Sequence, residues 1–148
     1  MRTSNSPLPS PAKSDHPVDV GLRTEATILA ELIRRGYAVL LPFGTNQRYD
    51  LVLDFDGKFV RAQCKTGRLR KGVIRYPARS TRINSRGVFT RGYRGEIEIF
   101  LIHCGDTGQI YAVPVDEAPT CEGYLRVDPT DNGQAKGIRW ARDYELPG

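Results

Sequence analysis

The chain has 148 residues, enough for one domain with a real core and too few for two ordinary ones. Hydrophobic residues make up 39% and charged residues 26%, which excludes wholesale disorder, and no apolar run approaches the roughly 20 residues that cross a bilayer. The net charge of +5 hides an asymmetry: residues 58–94 hold twelve Lys or Arg and no Asp or Glu, leaving ten basic against seventeen acidic residues elsewhere.

Residues 1–17 contain four prolines and four serines with almost no bulky apolar side chains, and are expected to form a disordered arm ahead of one domain at 18–148. From Val18 to Arg35 the residues Leu22, Ala26, Leu29 and Ile33, flanked by Ile28 and Leu32, recur at helical spacing until Gly36. That pattern predicts an amphipathic helix. Tyr37–Leu41, Arg48–Asp54 and Lys58–Thr66 read as strands, the last two a hairpin around Asp56-Gly57. Val73–Tyr76 is a candidate fourth strand. Glu96–Cys104 is a strong one, and Gln109–Val113 and Tyr124–Val127 follow. Ile138–Leu146 is expected to close the domain with Trp140 and Tyr144 as packing anchors.

Cys64, Cys104 and Cys121 are widely spaced, with no CxxC pair and only His16 and His103 beside them, which argues against a disulfide framework or structural zinc. His103 reads as structural and Cys64 as a small core hydrophobe. The start Met1-Arg2 runs into Ser, Asn and Pro instead of an apolar signal core, so a soluble, cytoplasmic protein without a membrane partner is expected.

The hairpin supplies the chemistry. With Asp56-Gly57 as its loop, Asp50 lies opposite Gln63; Asp50 and Val52 share a face with Arg61, Gln63 and Lys65, while Leu51, Leu53, Val60, Ala62 and Cys64 take the core face. A carboxylate, an amide oxygen and an ammonium thereby converge. Hard oxygen donors of this kind suit a divalent cation such as Mg²⁺, and a neighbouring ammonium can orient a water or neutralise charge growing on a phosphate. The same residues also fit a polar hairpin face that merely meets solvent.

Asp50, a twelve-residue spacer and then Gln63-Cys64-Lys65 resemble the motif of the PD-(D/E)XK nucleases, in the form where glutamine replaces the second acid. Gly21–Ala26 resembles the helix that brings a glutamate, here Glu25, to that site. Tyr93 with Glu96–Phe100, and Gly137–Ala141, extend the resemblance over roughly residues 18–146, toward the small single-domain branch that includes intron homing endonucleases and Holliday junction resolvase-like nucleases. It implies an α/β fold with a mixed central β-sheet flanked by helices. It further implies Asp50 as main metal carboxylate, Gln63 and the Cys64 carbonyl as oxygen ligands, Glu25 as a second carboxylate, Lys65 as the group that places the water, and a product with a 5′-phosphate. The cofactor would be Mg²⁺, with Mn²⁺ substituting. Two departures stand out: Tyr49 occupies the place of proline, and the neutral Gln63 gives a metal less charge than a carboxylate would. Glu98 either faces the same region or pairs with an arginine of the basic block.

A block of +12 in an otherwise acidic domain points to a polyanion, and the partner expected is DNA. Arg68, Arg70, Lys71, Arg75, Arg79, Arg82, Asn84, Arg86, Arg91 and Arg94 are its candidate contacts. A metal-dependent DNA endonuclease of the homing type is the expected function. The alternatives are a non-catalytic nucleic-acid-binding module on the same fold and a structure-specific nuclease acting on branched DNA. Cutting both strands needs two sites, so a homo-oligomer, a dimer or higher, is expected.

Overall fold

The computed structural model describes residues 5–148; Met1–Ser4, the start of the expected arm, lie outside the described residues. Residues 5–16 are exposed and carry neither helix nor strand. The helix α1, Pro17–Arg34, begins on a proline whose missing N–H costs nothing there, and His16 Nδ1 caps it by accepting from Val18 N at 3.2 Å. Nine strands follow: β1 Ala38–Leu40, β2 Leu51–Phe55, β3 Lys58–Arg70, β4 Val73–Pro77, β5 Ser80–Asn84, β6 Gly87–Arg91, β7 Ile99–Cys104, β8 Gln109–Pro114 and β9 Glu122–Arg126. Short 3₁₀ turns lie at Val115–Glu117 and Ala141–Tyr144.

Seven strands form one mixed sheet organised around the thirteen-residue β3. Its first half pairs antiparallel with β2 and then parallel with β7, and its last three residues pair antiparallel with β4. From there the sheet continues through β1 beside β2, β8 beside β7 and β9 beside β4. The β2–β3 turn has both Asp56 and Gly57 at positive φ, as a two-residue hairpin of the I′ kind demands, and pairs Val52 with Arg61 and Leu51 with Ala62, the expected register.

Both faces of this sheet are packed. On one, Ile28 and Leu32 of α1 meet Leu51, Leu53, Ala62 and Leu101. On the other, Tyr76, Tyr93, Phe100, Ile102, Tyr111 and Leu125 form the larger cluster, closed by Val115, Ala118 and Ala141 around the 3₁₀ turns. Gly67 sits where β3 passes from β7 to β4; a Cβ there would come within 2.8 Å of both Ile102 and Ile74, so only glycine lets the strands close.

Three expectations change. The core face of α1 is Thr24, Ile28 and Leu32, whereas Leu22 and Ile33 are 64% and 56% exposed: helical spacing identified the helix, but two adjacent apolar stripes satisfied it and only one fits under the sheet. Trp140 is only half-buried and stacks under Arg142 at 4.8 Å, so Ala141 and Leu146 close the core in its place. The face shared by Gln63 and Lys65 is partly covered by aromatic packing and is not simply a polar, solvent-facing surface, because Phe100 and Ile102 of β7 lie beside them in register.

Residues 80–91 form a separate two-stranded ribbon, β5–β6, that joins no other strand. Its alternating Thr81, Ile83, Val88 and Thr90 and the two-residue loop Ser85-Arg86 are a strand signal inside the basic block that the expected strands do not include.

Candidate metal centre and nucleic-acid face

β2 parts from β3 just beyond the pair Leu51–Ala62, and Asp50 stands at the parting. Its N–H donates to the Ala62 carbonyl at 2.9 Å, and its carboxylate Oδ2 accepts from the Cys64 N–H at 2.8 Å. The side chain is thus held against the backbone of the Gln63-Cys64-Lys65 segment. α1 is pinned to the same segment through Thr24 Oγ1 and Thr66 Oγ1, 2.6 Å apart, which sets the next residue, Glu25, beside Asp50. The two carboxylates share the wall of a cleft of about 300 Å³ whose rim is Leu41, Pro42 and Thr45.

Electrostatics record this proximity. Burial raises the Asp50 carboxyl above its ordinary value, while the Cys64 N–H and the Lys65 ammonium pull it back. Burial and then the Asp50 charge raise Glu25. The Cys64 thiol, packed toward α1, is pushed far up by burial, with Asp50 and Glu25 adding to it, so it remains a neutral core group. Gln63 lies opposite Phe100 in the parallel ladder and makes no side-chain hydrogen bond among the described residues. Lys65 donates from Nζ to the Tyr93 hydroxyl at 3.1 Å and lies 4.8 Å from the ring centre.

Among the described residues no three His, Cys, Asp or Glu side chains cluster. What the structure brings together is the two carboxylates, with the Cys64 main chain held against Asp50; Gln63 is not among the residues that line their cleft. An all-oxygen donor set of this kind fits a hard cation such as Mg²⁺ and not zinc or copper, and a dication would relieve the repulsion that Glu25 and Asp50 feel.

Glu98 is engaged elsewhere: it takes Arg61 in a fork, with Nε at 3.0 and 2.9 Å and Nη2 at 2.6 Å, and those hydrogen bonds lower its carboxyl below the usual range. His103 is half-buried, and burial lowers its imidazole, which suits a neutral structural role.

The basic residues fall into three groups. Arg68, Arg70, Arg75 and Arg79 line a cleft of about 580 Å³ beside Thr66, with Lys71 at the β3–β4 turn and Arg75 stacked 5.3 Å from the Tyr124 ring centre. Arg82, Asn84 and Arg86 are exposed on the ribbon, where Asn84 Oδ1 also accepts from Arg86 N at 2.8 Å and shapes the tip. Arg91 is ion-paired with Glu96, and Arg94 reaches the Ala118 carbonyl at 3.5 Å.

A family model described as PD-(D/E)XK endonuclease matches residues 16–147, a span that contains Glu25, Asp50, Gln63 and Lys65. The chain belongs to the PD-(D/E)XK endonuclease family. Its fold is similar to the solved structure of a bacterial homing endonuclease, I-Ssp6803I, with a TM-score of 0.71, 26% sequence identity and 88% of each chain covered. No curated protein matches it in sequence. No helix among the described residues is long and apolar enough to cross a membrane.

Sequence reasoning about this endonuclease missed Arg48. Its side chain pairs with Glu96, donates to Ser80 Oγ at 2.8 Å and to the Gly92 carbonyl at 2.7 Å, and lies with its guanidinium carbon 4.1 Å from the Tyr93 ring centre. The available signal was its position two residues before Asp50, which gives it the same parity on the chain.

Proposed function

We propose that this family member is a metal-dependent DNA endonuclease of the homing type, acting as a homo-oligomer in the cytoplasm. The observation that carries the reading is the convergence of Glu25 and Asp50 in one cleft, where burial raises the Asp50 carboxyl and the Lys65 ammonium is close enough to offset part of that rise. Asp50, Gln63, the Cys64 carbonyl and Glu25 would hold Mg²⁺, or Mn²⁺ in its place. When bound, the ion supplies Lewis acidity to a phosphate oxygen and lowers the pKa of water.

The protein's own groups do the rest. The Asp50 carboxylate is oriented by the Cys64 N–H and needs no reorganisation on binding. With one N–H on Tyr93, the Lys65 ammonium keeps two donors for the attacking water and the phosphate, whose negative charge grows toward the transition state. Arg68, Arg70, Lys71, Arg75 and Arg79 neutralise flanking phosphates. Arg82, Asn84, Arg86 and Arg91 extend the contacts along the ribbon, whose two-stranded form has the width a major groove admits, and Arg94 adds one beyond its end. If about six phosphates are neutralised, log affinity falls with log salt at a slope of roughly −5.

The test incubates the protein with supercoiled plasmid and with a randomised duplex pool in Mg²⁺, Mn²⁺ or EDTA, beside Asp50→Asn and Lys65→Ala. Metal-dependent cutting that both substitutions abolish is expected. Salt-sensitive binding without cleavage in any metal would favour the non-catalytic module, and cutting confined to a four-way junction would favour the branched-DNA enzyme. Sedimentation as a monomer with and without DNA would remove the oligomer.

A further inference from the structure

The ribbon and the catalytic lysine meet on one buried ring. Tyr93 stands two residues past the end of β6, is 4% exposed, and packs edge-on to Phe100 with ring centres 5.5 Å apart and planes at 89°. Phe100 lies beside Gln63 in the ladder, so the ring is seated on the sheet that carries the candidate site. Two cations address it: the Arg48 guanidinium at 4.1 Å from its centre and the Lys65 ammonium at 4.8 Å, the latter also donating to the hydroxyl at 3.1 Å.

Arg48 spends its remaining donors on the ribbon's two stems. It reaches Ser80 Oγ at the start of β5, and the Arg91 and Gly92 carbonyls at the end of β6, at 2.8, 3.4 and 2.7 Å. Glu96 closes the knot by pairing with both Arg48 and Arg91. Beyond this knot, residues 81–92 are exposed throughout.

We propose that Arg48 and Tyr93 form a clasp that positions Lys65 and the ribbon together, so that placement of the ribbon on DNA is felt at the catalytic ammonium. The proposal rests on the endonuclease reading above and extends it to two positioning residues outside the metal-ligand set. A free lysine side chain samples many rotamers. The ring and hydroxyl of Tyr93 remove part of that freedom before substrate arrives, and a shift of the ribbon stems moves Arg48, the ring and Lys65 in turn.

Tyr93→Phe keeps the ring and the Arg48 stack but deletes the hydrogen bond to Lys65. It is expected to lower kcat about tenfold, as for the loss of a hydrogen bond to a charged group, with KM and DNA affinity unchanged. Arg48→Ala is read without DNA in two ways: trypsin should cut at Arg82 and Arg86 faster, and the side-chain NMR signal of Lys65, which Arg48 does not touch, should move. Arg48→Lys keeps the charge without the fork, so it is expected to show the same two changes more weakly. An unaltered kcat in Tyr93→Phe, or an unmoved Lys65 signal in both Arg48 variants, overturns the clasp. If the wild type cuts no substrate, the endonuclease reading fails by that result, while the DNA-free measurements still decide the clasp.

Discussion

The β2–β3 hairpin and the β5–β6 ribbon are both antiparallel pairs with two-residue loops, yet they occupy opposite regimes. The hairpin lies within the seven-stranded sheet, with Leu51 and Ala62 fully buried, and the carboxylate at its open end is held by a backbone N–H. In the ribbon Ile83 and Val88 are 76% and 64% exposed, and its anchorage is polar, through Arg48, Ser80, Arg91 and Glu96 at the stems. A two-stranded ribbon is marginal by itself, so its geometry depends on its stems. Chemistry needs groups fixed to fractions of an ångström, whereas reading a groove tolerates adjustment, and under the proposed function the two hairpins would divide those demands.

Four outcomes would sharpen or break this division. The largest concerns Lys65: Lys65→Ala is expected to slow cleavage about 10³-fold while filter-binding affinity stays unchanged. Equal losses of binding and cleavage would erase the distinction between the regions. On the ribbon, Arg82→Ala with Arg86→Ala should do the reverse, weakening DNA binding and making the log–log salt slope shallower by about 2, with the thermal midpoint unmoved.

Stability supplies the third contrast. Gly67→Ala forces a methyl against Ile102 and Ile74 and should cost about 1–3 kcal/mol in urea unfolding. Thr81→Ala on the exposed ribbon should stay within about 0.5 kcal/mol. The smallest effect is one of pH. The Arg48 and Arg91 guanidiniums hold the Glu96 carboxyl below its ordinary 4.5, so the folded state resists its protonation and the contribution of this ion pair is complete above that value. As pH falls below 4.5 the contribution is lost progressively. The Ser80 and Gly92 amide resonances should therefore shift in acid before those of Leu51 and Ala62, and simultaneous movement would show that the ribbon stems share the stability of the core.

The register of the β2–β3 hairpin is legible in the sequence because strand periodicity is rigid: with Asp56-Gly57 as the loop, Leu51 faces Ala62 as expected, and the ladder ends there, one residue short of the expected Asp50–Gln63 pair. Glu25 was reached only through resemblance, since nothing local says which side of a helix faces a strand 25 residues away. The exposed stripe at Leu22 and Ile33 shows the same limit, because a 3.6-residue period marks an apolar face without saying whether another element covers it. Arg48 and Tyr93 stand 45 residues apart in sequence, and no spacing rule connects them.

The sequence by itself determined α1, the strands of the seven-stranded sheet, the hairpin register and the basic block, because each follows from local stereochemistry and alternation. Only the tertiary structure decided which helical stripe is core, which arginines are occupied by Glu96 and Glu98, and that one tyrosine ring joins the ribbon to Lys65. Those depend on contacts between distant segments, where packing of the whole sheet selects among arrangements that local sequence leaves equal.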